Sequence, residues 1–179
     1  MSETKIANRY AEALIQQAIT ENQLKAVAES MTIIGSTCEQ SKDLRNVLNN
    51  PIILPSQKLS ALMQIFSNCN KLVLDFIQLI CTKNRENLIP VITEAFLSLY
   101  RKHEGIEKVS VQTASALSND DQKHIQQYVL KATGAKSVEI DAQINPAIIG
   151  GMVIKFGDNL LDTSIAAKLR KLKKELNIA

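Results

Sequence analysis

The segment IIGGMVIKFGDNLLDTSIAAKL, Ile148 to Leu169, brings Gly150, Gly151 and Gly157 close together ahead of a helical pattern. Glycines before a helix N-terminus can cradle a phosphate on backbone N–H groups. That chemistry needs the glycines between a strand and a helix, with the Lys of a GK[ST] sequence. Here Gly150 and Gly151 precede a strand, in which Met152, Ile154 and Phe156 alternate with Val153 and Lys155, and no GK[ST] occurs. Gly157-Asp158 is two-residue hairpin chemistry, since such turns need positive φ. Gly150, Gly151, Gly157 and Asp158 are therefore assigned to turns and close packing, not to a ligand.

Other reactive residues are few. His103 lies in RKHEG at an expected domain boundary, and His124 lies on the wet side of a helical stripe. Cys38, Cys69 and Cys81 are odd in number and match no CxxC or zinc spacing. They read as reduced thiols in or near a core, which implies a reducing compartment. GxSxG, HExxH and GxGxxG are absent. No catalytic, cofactor-binding or metal-binding residue is assigned, and no cofactor is expected. An enzyme with an unrecognised site would have to build a deep pocket from scattered groups.

The elements that carry these residues fall into two regions. Residues 4 to about 103 read as helix after helix. Ile6, Tyr10, Ala13 and Leu14 mark one face of the first, and Leu24, Val27, Met31 and Ile34 repeat at helical spacing in the second. Leu44, Val47 and Leu48 mark a short third helix, stopped by NNPIILP. Ser56 is the expected cap of the fourth, which carries Leu59, Leu62, Met63 and Phe66. The fifth, KLVLDFIQLIC, is apolar nearly all round and offers more than one packing stripe. It suits the centre of a bundle, a groove for a partner helix, or both. It is too short to span a membrane and contains Asp75. The sixth runs through Ile92, Phe96, Leu99 and Tyr100, with Pro90 in its first turn.

After HEGIEK the period changes. Val109, Val111 and Thr113 alternate as a strand. Ser118 and Asp121 form an acidic variant of the capping box before a helix marked by Ile125, Tyr128, Val129 and Ala132, with Gly134 past its end. Val138, Ile140, Ala142 and Ile144 predict a second strand with one wet face. The glycine hairpin follows, and Asp162 or Thr163 is the expected cap of a last helix with Ile165, Leu169, Leu172 and Leu176 facing a core. The expected fold is all-α followed by α+β: a six-helix bundle over residues 1–105, then a small α+β domain with a mixed sheet over 106–179.

The chain has 179 residues, 45% apolar and 22% charged, with only 4% aromatic residues and no Trp. The core must be aliphatic. A net charge of +3 is mild. Nucleic-acid binders concentrate more basic charge, and single-strand binders need stacking aromatics. The exception is the last helix, where Lys168, Arg170, Lys171, Lys173 and Lys174 crowd together. This is a solvated face, a site for an acidic protein, or, as the alternative reading of the chain, a nucleic-acid-binding surface. MSETKIANRYAEAL is not a signal peptide, and the absence of an organelle presequence favours a bacterial or plastid-encoded protein.

Five segments in order carry a family resemblance. They are IANRYAEAL, NNPIILPSQKLSALMQIF, TKNRENLIPVITEAFLSLY, VSVQTASALS and IIGGMVIKFGDNLLDTSIAAKLRKL. They are similar to the A-x-x-YA-x-A-L opening, the NP-x-I … K … F segment, the NR-x-x-L-x-P … F-x-x-L helix, the SA-x-x-L turn and the I-x-GG … GD … D-x-S closing signature. These belong to the delta subunit of F-type ATP synthases, also called the oligomycin-sensitivity-conferring protein. Thr163 departs from the Gly often found before the serine, which touches only cap geometry.

The resemblance implies a non-catalytic stator subunit. It implies that the helical domain binds the N-terminal helix of the alpha subunit against its first and fifth helices, and that the C-terminal domain binds the C-termini of the peripheral-stalk b subunits. Tyr10, Ala13, Leu14, Phe76, Leu79 and Ile80 are the candidate groove residues, and Lys168, Lys171 and Lys174 the candidate stalk contacts. The subunit would be monomeric alone and present once per complex, with no nucleic acid and no direct membrane insertion. It would be a peripheral membrane protein on the cytoplasmic face of a bacterial inner membrane, or the stromal face of a thylakoid, held there through the complex.

Overall fold

The computed structural model describes residues 3–176. The helices are α1 (Glu3–Thr20), α2 (Leu24–Gln40), α3 (Lys42–Asn49), α4 (Pro55–Ile65), α5 (Lys71–Thr82) and α6 (Ile89–Glu104). Then come β1 (Ile106–Thr113), α7 (Asn119–Thr133), β2 (Ser137–Ile144), β3 (Met152–Phe156), β4 (Asn159–Asp162) and α8 (Ile165–Glu175). Short 3-10 turns occupy Glu86–Leu88 and Pro146–Ile148. The described chain is thus α+β: eight α-helices and a four-stranded mixed sheet. No helix among the described residues is long and apolar enough to cross a membrane.

The chain divides into two compact units between Tyr100 and Arg101, inside α6. The last turn of α6 belongs to the second unit because Arg101 pairs with Glu139 of β2 at 3.7 Å. The carbonyl of Gly105 also accepts hydrogen bonds from the backbone N–H groups of Lys136 and Ser137.

In the first unit one aliphatic core draws on all six helices, with Leu14, Val27, Ile34, Leu48, Phe66 and Phe96 among its buried members. Helix α5 is its most enclosed element. Leu72, Val73, Phe76, Ile77, Ile80 and Cys81 are buried. At 100° per residue they cover an arc of about 180°, wider than a one-sided stripe needs. Both ends of α5 are fixed. Asn70 accepts from Leu72 N–H at 2.8 Å as N-cap, while its own N–H donates to Ser30 Oγ of α2 at 3.0 Å. At the other end Asn84 adopts φ 53°, with Asn84 N–H bonded to Cys81 O and Arg85 N–H to Ile80 O. That is a Schellman closure, in which Asn takes the left-handed position usually given to Gly.

Helix α4 corrects one expectation. Pro55 opens it, Leu54 is the N-cap position, and Ser56 lies inside the first turn with no capping role. Proline at the first position needs no N–H, so no side-chain cap is required. Lys58, one turn on, is buried among apolar neighbours. Its ammonium donates to Glu86 Oε1 at 2.7 Å and to Leu48 O at 2.9 Å, tying α3, α4 and the turn before α6. Glu86 Oε2 is buried with no hydrogen-bond partner among the described residues.

In the second unit the sheet order is β2-β1-β3-β4, with β1–β2 parallel and the other pairs antiparallel. Helix α7 covers one face, where Ile125 and Val129 meet Val109, Val111, Ile154 and Phe156. Its N-terminus is the expected capping box: Ser118 Oγ accepts from Asp121 N–H and donates to Asp121 Oδ2 at 2.6 Å. Strand β2 alternates only over its first half. Val138 and Ile140 pack against the core, but Ala142 and Ile144 are exposed.

The buried pair yields a test. Glu86→Ala strands the Lys58 charge in the core and should cost about 3–5 kcal/mol, whereas joint replacement by Lys58→Met and Glu86→Leu should lie close to the parent. Urea denaturation followed by circular dichroism measures both. Equal losses in the single and double variants would show that burial of the charge is not the determinant.

Candidate partner-binding surfaces

In the first unit Tyr10 and Phe76 join α1 to α5. Their rings meet edge to face at 6.2 Å. Arg85, just past α5, donates from Nη1 to Tyr10 Oη at 3.0 Å and lies 5.6 Å from the ring centroid. The tyrosine is thus held at ring and hydroxyl, a low-entropy anchor for a surface. The six candidate groove residues separate here. Leu14 and Ile80 are core, at 2% and 1% exposure, and Phe76 is nearly so. They support the surface from beneath and do not line it. Tyr10 is half-buried, Ala13 is exposed, and Leu79 is 47% exposed. Ala13 lies three residues beyond Tyr10 on α1, and Leu79 three beyond Phe76 on α5. Of the six, Tyr10, Ala13 and Leu79 are the ones that reach the surface.

The thiols of this unit are held protonated. Burial, then the nearby Glu86 carboxylate, push Cys81 up to about 11, against the partial offset of Lys58. Burial also raises Cys38 and Cys69. His103 and His124 are exposed, with Glu104 3.5 Å from His103. No group of three or more His, Cys, Asp or Glu among the described residues is arranged to hold a metal. The void among Met31, Ile34, Phe76, Ile77 and Ile92 measures about 10 Å³, room for one water at most.

In the second unit each glycine assigned to a turn has a steric role. Gly157 has φ 50° and stands first in the two-residue turn that pairs Phe156 with Asn159. Glycine at that place, with no positive φ at Asp158, is the pattern of a type II′ hairpin. A Cβ on Gly150 would come within 2.7 Å of Ile165 Cδ1. Gly151 has φ 77°, and a Cβ there would lie 2.6 Å from Thr163 O. The backbone just before β3 therefore passes close against the start of α8. Ile149 precedes them at φ 67° and is 61% exposed. This conformation is rare for a β-branched residue.

Helix α8 departs most from expectation. Its cap is Ser164, which accepts from Ala167 N–H at 3.1 Å, and neither Asp162 nor Thr163 is the cap. Asp162 instead accepts from Ser164 N–H at 2.9 Å, and Thr163 Oγ1 donates to Met152 O. Ile165, Leu169, Leu172 and Leu176 do not face a core: they are 44%, 52%, 52% and 64% exposed. With Gln112, Ile149, Val153 and Arg170, Leu169 lines an open cleft of about 570 Å³. Lys168, Lys171 and Lys174 are all exposed. What the arrangement offers chemically is apolar docking area with basic flanks.

The sequence profile of a family described as "ATP synthase delta (OSCP) subunit" matches residues 6–176. The ATP synthase subunit delta of Amoebophilus asiaticus is 35% identical over 179 residues, covering 99% of this chain and 97% of that one. The chloroplastic ATP synthase subunit delta of Ochrosphaera neapolitana is 33% identical over 173 residues, with 96% and 97% covered. A chain in a cryo-EM structure of the Toxoplasma gondii mitochondrial ATP synthase hexamer has the same fold. It superposes with a TM-score of 0.74 at 24% identity, over 97% of this chain and 98% of that one.

Two outcomes follow from this geometry. Gly151→Ala should destabilise the second unit by about 1–3 kcal/mol, since it places a side chain at positive φ against a backbone carbonyl. Its hydrogen-exchange protection should fall in β3 and α8 while α1 to α5 are unchanged. The hydrogen bonds from the Ser164 side chain and backbone hold the Asp162 carboxyl below its ordinary 3.8. A depressed folded value contributes stability above the unfolded value and loses it as pH falls through the folded one. The start of α8 should therefore keep its order at neutral pH and fray only below pH 3.8. A pH titration of the Asp162 side-chain NMR signal reads this directly.

Proposed function

The chain belongs to the ATP synthase delta (OSCP) subunit family, and from that premise we propose that it is the joint between stator and catalytic head. Its six N-terminal helices act as a bundle that receives the N-terminal helix of an alpha subunit on α1 and α5. Its α+β domain holds the C-termini of the peripheral-stalk b subunits. One copy joins the two, does no chemistry itself, and prevents the alpha/beta ring from turning with the rotor, so that proton flow is converted to ATP synthesis. It sits at the membrane only through the complex, on the cytoplasmic or stromal side.

The observation that carries this reading is the surface of α1 and α5, which meet through the Tyr10 and Phe76 rings and leave Ala13 and Leu79 exposed while Leu14 and Ile80 are buried. A single helix can be buried along it without rearranging the core. A load-bearing contact needs slow release, and differences in affinity lie mostly in dissociation. Gripping a second partner through the other unit raises the effective concentration at each site.

Titration calorimetry of the full chain against a peptide of the cognate alpha N-terminal segment tests it. Binding should persist at high salt with a negative heat-capacity change, as apolar burial requires. Leu79→Asp should weaken it by at least about tenfold, because a buried Leu contributes roughly 1.5–3 kcal/mol. Helicity should be unchanged, since Leu79 is half exposed. Unfolding by Leu79→Asp, or undiminished binding, would remove Leu79 from the interface.

A further inference from the structure

The exposed side chains of α8 have a period. Ile165, Leu169, Leu172 and Leu176 are separated by four, three and four residues, the d-a-d-a spacing of a coiled-coil seam. On a helix they fall within an arc of about 60°. That is a narrow seam for one partner helix, not the broad face with which a helix lies in a bilayer. In this register Lys168 and Lys173 occupy the flanking g and e positions. Lys171 and Lys174 fall at c and f, away from the seam.

The ion pairs leave the flanking positions open. Arg170 is 3.8 Å from Asp162 and Lys171 is 3.9 Å from Glu175. Lys168, Lys173 and Lys174 make no ion pair among the described residues, and of these only Lys168 and Lys173 flank the seam. The two flanking cations therefore remain available to an acidic partner. The cleft lined by Leu169, Ile149 and Val153 continues the apolar surface.

We propose that α8 is one half of a two-helix seam. It takes a partner helix with apolar residues at heptad spacing and Asp or Glu at the positions facing Lys168 and Lys173. Those two lysines, and not Lys171 or Lys174, set the choice of partner. This rests on the stalk reading above, which supplies the partner: the C-terminal helical segment of a b subunit.

The test titrates the full-length protein with the soluble C-terminal segment of the cognate b subunit, at low and high salt. Lys168→Glu/Lys173→Glu is compared with Lys171→Glu/Lys174→Glu, which changes the net charge equally. The first pair should weaken binding by at least about tenfold, since like charges across an interface are strongly unfavourable. The second should stay within about twofold, as surface changes away from a contact do. Leu172→Ser should lose about tenfold or more with circular dichroism unchanged. Equal losses from both pairs would show general attraction and overturn the seam. Indifference to all these changes would overturn the seam alone and leave the stalk reading standing. No binding by the unsubstituted chain would overturn the stalk reading, and the seam with it. Preferential partition of the protein onto phosphatidylglycerol vesicles, abolished by Leu172→Ser, would assign α8 to a lipid surface instead.

Discussion

The first unit is organised by the need to enclose α5. A twelve-residue helix that is apolar over half its circumference cannot rest on a single neighbour. Its partners must close around it, and the chain supplies α2 and α4 on its flanks with α1 reached through Tyr10. Fixing both of its ends removes the freedom to slide: Asn70 ties the start to Ser30 of α2, and the left-handed Asn84 turns the chain away at the finish. Leu79 is the large apolar residue left exposed once the rest of that circumference is satisfied.

The second unit solves the opposite problem. Its sheet has one covered face, built where Val109 and Val111 of β1 meet Ile154 and Phe156 of β3 under α7. One helix is enough for a core of that size, so α8 is not needed to complete it. Helix α8 is instead held at its first turn. There Gly150 and Gly151, just before β3, allow the backbone to approach, and Asp162 and Ser164 fix the entry. Beyond that turn its leucines lie in solvent. An exposed leucine on a complete core and a helix anchored at one end are two physical routes to exposed apolar surface.

Much of this was legible in the sequence, and the exceptions share a cause. The helices, the succession of strands along the chain, the Ser118–Asp121 box and the Gly157-Asp158 hairpin follow from local spacing and turn chemistry, which depend on neighbours along the chain. Lys58 was hidden. It stands one helical turn before Leu62 and two before Phe66, in phase with the buried stripe, yet its partner Glu86 lies 28 residues away. A charged residue in phase with a core is the available signal for such a pair. The stripe of α8 was misread because periodicity identifies an apolar face without saying what covers it. The same limit applies to Ala142 and Ile144, which alternate correctly but are exposed. At the candidate groove, period alone placed Leu14 and Ile80 on the same faces as Tyr10 and Leu79, and only burial separates the support from the surface.

The cysteines have a consequence for durability. Oxidants and alkylating agents attack the thiolate, and they must reach it. Cys38 and Cys81 are buried and Cys69 partly so, and all three are held in the thiol form. The molecule therefore carries sulfur in its interior without a vulnerable nucleophile at its surface. Peroxide, which would modify an acidic exposed thiol quickly, should leave these three thiols largely unmodified. Its cysteine chemistry is thereby insulated from the redox state around it.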